Sequence, residues 1–116
     1  MARVLAFVPD LLFGSNVLGT LSAAGHEVSL VSNREGLERG LGDAEVLVVD
    51  LTADVEDRLE LVAPALRRDG LATLAFFSHV EADVKTAAQA RGFDQVVPRS
   101  RMARAGAELV AGLLPA

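Results

Sequence analysis

Residues 46–77 read VLVVDLTADVEDRLELVAPALRRDGLATLAFF and contain the clearest structural signal in the chain. The apolar runs at the two ends do not alternate with polar residues, which is typical of strands covered on both faces. Between them, apolar residues at positions i, i+4, i+7 and i+11 form one face of a helix, namely Val55, Leu59, Val62 and Leu66. Asp57 and Arg58 lie off this face, and Gly70 is placed to end the helix. The stretch therefore predicts a strand, a helix and a second, parallel strand.

The same alternation continues toward both ends of the chain. Strands are predicted over residues 3–8, 27–31, 45–50, 71–77 and 94–97, and helices over 11–24, 33–40, 54–68, 80–91 and 101–114. Capping boxes are predicted to start two of the helices, at Ser32 and Ser78. Glycines are predicted to end the helices, at Gly25, Gly40, Gly42, Gly70 and Gly92.

Strict alternation with short connections predicts an α/β fold with three αβα layers. The expected architecture is an open, doubly wound, five-stranded parallel sheet in the flavodoxin-like order 2-1-3-4-5. A length of 116 residues is typical of one domain, so residues 1–116 are assigned to a single domain.

The composition argues against several classes of protein. Cysteine is absent, which excludes disulfide frameworks and thiolate metal sites. The net charge is −5 and no basic run occurs, which argues against nucleic acid as a partner. No apolar run approaches the roughly 18 residues that cross a bilayer, and residues 3–8 are better explained as a core strand than as part of a signal peptide. We therefore expect a cytoplasmic protein that binds neither nucleic acid nor membranes.

Ligands of such sheets bind beyond the carboxyl ends of the strands. No dinucleotide fingerprint, Walker A loop or nucleophile elbow occurs in the loops there, so we expect no cofactor. Asp10, after the first strand, is interpreted as the N-cap of the first helix, with a metal ligand as the alternative. Arg99, Ser100 and Arg101 begin the last helix, where free N–H groups and two arginines suit an anion; Ser78 is a further candidate for this site.

The first helix is unusual because no charged residue occurs from Leu11 to Gly25. A helix that only covers one face of a sheet should have a polar stripe. Here the predicted outer face carries small residues, which would let another backbone approach closely: Gly14, Ser15, Gly19 and Ser22. We interpret this face as a contact surface for a protein partner. A homodimer through this helix or the last helix is one candidate.

The sequence Val48-Val49-Asp50-Leu51, with an aspartate ending the third strand, resembles the phospho-acceptor region of response-regulator receiver (CheY-like) domains. The chain length, the order of strand–helix units, the G-H-E-V sequence that begins at Gly25, and Pro98 after the fifth strand are also similar. The resemblance implies signal transduction in a two-component system. It also implies Asp50 as phospho-acceptor, Ser78 as the Ser/Thr switch residue, and Asp10 and Asp50 as ligands of Mg²⁺.

The chain departs from this family at positions that matter for phosphorylation. Receivers hold Mg²⁺ with an acidic pair at the end of the first strand, where Val8 and Pro9 stand here. Val97 stands where the family has a lysine. Without these groups, a phosphoryl group transferred to Asp50 would lack neutralising charge.

The leading prediction is a stand-alone pseudo-receiver that signals through protein–protein interaction, without a cofactor and, on balance, without enzymatic activity. Two alternatives remain open. One is a phosphorylatable single-domain response regulator that uses Asp50 and Mg²⁺. The other is a small-molecule or anion-binding flavodoxin-like module.

Overall fold

The computed structural model describes residues 2–78 and 82–115. In this part of the chain, five strands alternate with five helices, as predicted. The strands are β1 (Arg3–Phe7), β2 (Glu27–Val31), β3 (Val46–Asp50), β4 (Ala72–Phe77) and β5 (Gln95–Pro98). The helices are α1 (Leu11–Ala23), α2 (Arg34–Gly40), α3 (Val55–Leu66), α4 (Ala82–Ala90) and α5 (Arg99–Leu113).

The sheet is parallel and has the predicted order, β2-β1-β3-β4-β5. The central strand β3 is buried along its whole length, from Val46 to Asp50. Because all strands run in one direction, the loops after β1, β3 and β4 and the β5–α5 junction share one edge of the sheet. This edge carries the candidate residues.

Two apolar layers fill the space between the sheet and its helices. One layer includes Leu37, Leu59 and Val84, which belong to α2, α3 and α4. The other includes Val17 of α1 and Met102 of α5. This arrangement gives the three αβα layers that the sequence predicts. In the described ranges, no helix has the length and apolar character that a membrane crossing requires.

Glycines end three helices as predicted. Gly25, Gly70 and Gly92 have φ angles of 93°, 84° and 101°, a region that residues with a Cβ rarely adopt. Gly40 and Gly42 do not have positive φ, so their predicted role is wrong. Gly40 instead lies inside α2, where an added Cβ would fall 2.5 Å from Leu5 Cδ1, and it therefore permits close contact between α2 and β1.

Two helix starts also differ from the prediction. The N-cap of α2 is Asn33, whose Oδ1 accepts a hydrogen bond from the Gly36 amide at 2.8 Å, and not Ser32. Helix α5 begins at Arg99, directly after Pro98, because the extended conformation of this proline is suited to a helix N-cap. The capping box predicted at Ser78 involves residues 79–81, which lie outside the described residues.

Gly92→Ala is expected to lower the free energy of unfolding by about 1–2 kcal/mol, because a Cβ is unfavourable at this φ although the space around it is open. Gly19→Ala is the matched control. It places a Cβ in equally open space within α1 and is expected to raise the stability by about 0.5–1 kcal/mol. Urea unfolding measures both changes, and two changes of the same sign would contradict this explanation.

Candidate functional site

Asp50 ends β3 and lies at the centre of the carboxyl edge, but its side chain is not free. The residue is 1% exposed. Its Oδ1 accepts hydrogen bonds from the amide of Thr52 at 2.8 Å and from Thr52 Oγ1 at 2.5 Å. Its Oδ2 lies 3.4 Å from Arg58 Nη1. Both carboxylate oxygens are therefore engaged by neighbours in the following loop and helix.

Arg58 reaches Asp50 from the first turns of α3. Its Nη1 also donates a hydrogen bond to the Asp50 carbonyl oxygen at 3.0 Å, and its side chain is only 12% exposed. A second carboxylate, that of Asp54, lies 3.8 Å from Arg58 Nη2. The guanidinium thus holds both the side chain and the backbone of the strand end, and supplies the charge that a buried carboxylate requires.

The short β3–α3 connection explains this geometry. Thr52 folds back on Asp50 as in an Asx turn, in which an aspartate side chain accepts a bond from the amide two residues later. Asp54 then adopts the left-handed conformation, with φ of 48°, and turns the chain into α3. Sequence reasoning placed Arg58 off the buried helix face and missed this contact. The available signal was an arginine in the first turns of the helix that follows a buried aspartate.

Asp10 is the N-cap of α1, as predicted. Its Oδ1 accepts a hydrogen bond from the Phe13 amide at 2.9 Å, and the residue is exposed. Among residues 2–78 and 82–115, no group of three or more histidine, aspartate and glutamate side chains is arranged to hold a metal ion. The role of Asp10 and Asp50 as metal ligands stays a prediction.

An aromatic pair and an arginine form the neighbouring part of the edge. The rings of Phe13 and Phe76 lie with centroids 4.9 Å apart, and Arg99 Cζ lies 5.5 Å from the Phe13 centroid. A hollow of about 300 Å³ brings together Phe13, Ser78, Arg99, Ser100 and Ala103. Three of the four residues predicted for an anion site thus share this hollow, while Arg101 does not line it. Anion binding there stays a prediction.

The outer face of α1 differs from the prediction at one residue. Gly14 is buried, and an added Cβ would lie 3.1 Å from Leu30 Cδ2 and 3.2 Å from the Val8 carbonyl oxygen. Its small size therefore serves the packing of α1 on the sheet and not an outer contact. The other three predicted surface positions are exposed: Ser15, Gly19 and Ser22. Sequence reasoning did not single out Leu11 and Leu12, which are 84% and 87% exposed.

Comparison with solved structures identifies the architecture. The chain superimposes on the chemotaxis response regulator CheY4 of Vibrio cholerae with a TM-score of 0.81 and 19% identity, over 98% of this chain and 99% of that one. It matches a receiver domain protein of Clostridium thermocellum with a TM-score of 0.81 and 16% identity, over 97% and 94% of the two chains. The chain has the receiver fold. No protein-family model and no curated protein matches the sequence.

The receiver fold also occurs as a part of longer proteins. NtrX from Brucella abortus, solved in complex with ADP, matches with a TM-score of 0.80 and 20% identity over 96% of this chain. The match spans about a quarter, 25%, of the NtrX chain. These matches confirm, at the level of the fold, the predicted resemblance to receiver domains.

Proposed function

We propose that this receiver-fold chain signals by protein contact and does not carry out Mg²⁺-dependent phosphorylation at Asp50. The observation that carries the proposal is the engagement of Asp50 by Arg58 and Thr52. A phospho-acceptor needs an accessible carboxylate oxygen and a divalent cation beside it. Asp50 instead is 1% exposed and has a guanidinium as its counter-charge.

The donor set around Asp50 does not fit a Mg²⁺ site. Mg²⁺ takes oxygen ligands in near-ideal octahedral geometry and usually keeps several waters, which requires free carboxylate oxygens and open space. Oδ1 of Asp50 is occupied by Thr52, and the cation Arg58 stands beside Oδ2. Asp10 directs Oδ1 to the helix amide of Phe13. Arg58 thus supplies the positive charge beside Asp50, and a divalent cation close to it would be repelled.

The fifth strand supports the same proposal. Val97 stands where receivers have a lysine, and it is 1% exposed within the apolar layer under α1 and α5. The nearest cation along the chain is Arg99, whose Cζ lies 5.5 Å from the centroid of the Phe13 ring. Neither residue offers an ammonium group to a phosphoryl group at Asp50. Signalling would then depend on surfaces and not on a phosphorylated state.

A Mg²⁺ titration followed by ¹H–¹⁵N spectra tests the proposal. We expect no saturable shift of the Leu51 and Thr52 amides up to millimolar Mg²⁺. Asp10→Asn and Asp50→Asn are the controls, since asparagine keeps the α1 cap and is close in shape to aspartate. A saturable shift in the unmodified chain that Asp50→Asn abolishes would contradict the proposal. It would favour the phosphorylatable response regulator.

A further inference from the structure

Strand β2 forms an outer edge of the sheet, and its open side has no part in the proposed function. Within residues 2–78 and 82–115, β1 is the only strand beside β2. The amide of Glu27 and the carbonyl oxygen of Val31 form hydrogen bonds with the residues that flank β1. Because successive residues of a strand direct their backbone groups to opposite sides, Val28 and Leu30 direct theirs away from the sheet.

This edge lacks the features that protect edge strands from pairing with other chains. Protected edges carry lysine or proline, contain a bulge, or are covered by other elements. Strand β2 contains neither lysine nor proline, and its register with β1 is continuous over all five residues. Strand β5, at the opposite edge, ends in Pro98 and buries its two valines. The backbone of β2 is therefore free to pair with another strand.

The sequence of β2 is complementary to a second copy of itself in antiparallel pairing. With Ser29 on the two-fold axis, Val28 stands opposite Leu30 of the second copy, and Glu27 stands opposite Val31. Val28 and Leu30 are the residues whose backbone groups point outward, so each such pair exchanges both of its hydrogen bonds. Their side chains form apolar cross-strand pairs, and no like charges stand opposite each other. Both the backbone and the charges of this edge thus fit a second copy.

Helix α1 lies over β1 and β2 and extends this edge. A Cβ added to Gly14 would lie close to both Leu30 Cδ2 and the Val8 carbonyl oxygen, which places this turn of α1 above the two strands. Leu11 and Leu18, three residues before Gly14 and four after it, share its side of the helix. Leu18 and Leu30 are 36% and 37% exposed. The apolar surface of the edge therefore continues from β2 onto α1.

We call this side of α1 the β2 flank; its exposed residues have the spacing of one helix face and carry no charge, namely Leu11, Ser15, Leu18 and Ser22. The other side of α1 faces α5, where Leu12 and Asn16 line a hollow with Arg99. If the two β2 strands pair, both copies of α1 lie on the same face of the sheet. Their axes are then about 10 Å apart, the usual separation of packed helices, because each α1 covers the gap between two strands.

We propose that the chain forms a homodimer in which the two β2 strands pair antiparallel and join the sheets into one of ten strands, five from each copy. The β2 flanks of the two α1 helices pack against each other across the two-fold axis. This contact explains why no charged residue occurs from Leu11 to Gly25. It goes beyond the proposed function and does not depend on Asp50, which belongs to β3, two strands from the interface.

Disulfide trapping of the full chain tests the register of the dimer. The chain contains no cysteine, so Ser29→Cys introduces a unique thiol. In the proposed dimer the two copies of residue 29 form a non-hydrogen-bonded pair, with Cα atoms about 4.5 Å apart, which a disulfide can span. We expect Ser29→Cys to form a covalent dimer on mild oxidation at micromolar concentration. Ser100→Cys places an exposed thiol at the start of α5, away from the interface, and is expected to stay uncrosslinked.

Sedimentation velocity of matched lysine variants tests the surface. Leu18→Lys and Leu30→Lys are each expected to weaken dimerisation by about tenfold or more, because they place like charges near the two-fold axis. Leu12→Lys makes the same change on the other side of α1, at a residue that is 87% exposed, and is expected to dimerise like the unmodified chain. Thermal unfolding checks that all three variants fold.

Three results would overturn the proposal. The first is an unmodified chain that stays monomeric at millimolar concentration. The second is equal cross-linking of Ser29→Cys and Ser100→Cys. The third is a dimer that Leu12→Lys dissociates and Leu18→Lys leaves intact, which would assign the contact to the α5 side. Neither experiment uses a phosphodonor or Mg²⁺, so failure of the dimer is distinguishable from failure of the proposal for Asp50.

Discussion

Arg58→Met is expected to lower the free energy of unfolding by about 3–5 kcal/mol, the usual cost of leaving a buried charge without its partner. Methionine keeps most of the length of the side chain but removes the guanidinium. Asp50, at 1% exposure, would then retain the Thr52 hydrogen bonds and lose its counter-charge. Urea unfolding of the two proteins measures the difference.

Two further variants separate this effect from a general loss of charge. Arg39→Met removes an exposed pair, in which Arg39 and Glu35 lie 3.9 Å apart with side chains 79% and 86% exposed. Pairs of this kind contribute about 0.5 kcal/mol or less. The double variant Asp50→Asn, Arg58→Met should recover much of the loss, because no buried charge remains. A cost for Arg58→Met no larger than that for Arg39→Met would contradict the structural role of the pair.

Phe76→Ala is expected to lower the free energy of unfolding by about 3–5 kcal/mol, as is usual for a buried phenylalanine. Phe76 is 0% exposed and contacts the ring of Phe13. The Cζ atom of Arg99 lies over the same Phe13 ring. The cavity therefore opens directly beneath the Phe13 ring. We expect the Arg99 Nε resonance to move as the Phe13 ring loses its support, in addition to the loss measured by urea unfolding.

Phe77→Ala is the matched control for the expected shift of the Arg99 Nε resonance. Phe77 is also buried, at 5% exposure, but it belongs to the apolar layer under α2, α3 and α4. It should cost a similar amount of stability and leave the Arg99 signal in place. Phe76→Leu should cost less than about 1.5 kcal/mol, because most of the volume is kept. An Arg99 signal that moves equally in the Phe76→Ala and Phe77→Ala variants would show that Phe76 does not position Arg99 through Phe13.

The sequence predicted the strands, helices and sheet order because their signals are local. Apolar runs without alternation indicated buried parallel strands, and Gly25, Gly70 and Gly92 marked the helix ends by a backbone requirement. Asp10 was recognisable as a cap because the cap hydrogen bond spans only three residues. Each of these features depends on residues that are close together in the sequence.

The errors arose where side-chain direction depends on packing between elements. The face of α1 that contacts the sheet was ambiguous, because apolar and small residues occur all around this helix, and Gly14 was assigned to the wrong side. The contact between Arg58 and Asp50 depends on the left-handed turn at Asp54, which nothing in the composition of that loop requires. The proximity of Arg99 to Phe13 was missed for the same reason, because the two residues belong to different helices.

The carboxyl edge of the sheet contains two neighbouring regions that differ in exposure. The carboxylate of Asp50, which ends β3, is engaged by Arg58 and Thr52, while the neighbouring edge presents leucines and an arginine to solvent. A partner that recognises the exposed edge needs no chemical change at Asp50. On this account, signalling depends on which partner is bound and not on the state of the aspartate.

The intact mass of the protein after incubation with acetyl phosphate and Mg²⁺ tests this account most directly. We predict that the unmodified chain and Asp50→Asn keep the same masses as before incubation. A mass increase of one phosphoryl group in the unmodified chain, absent from Asp50→Asn, would contradict the account and would show that the Arg58 pair opens to a phosphodonor.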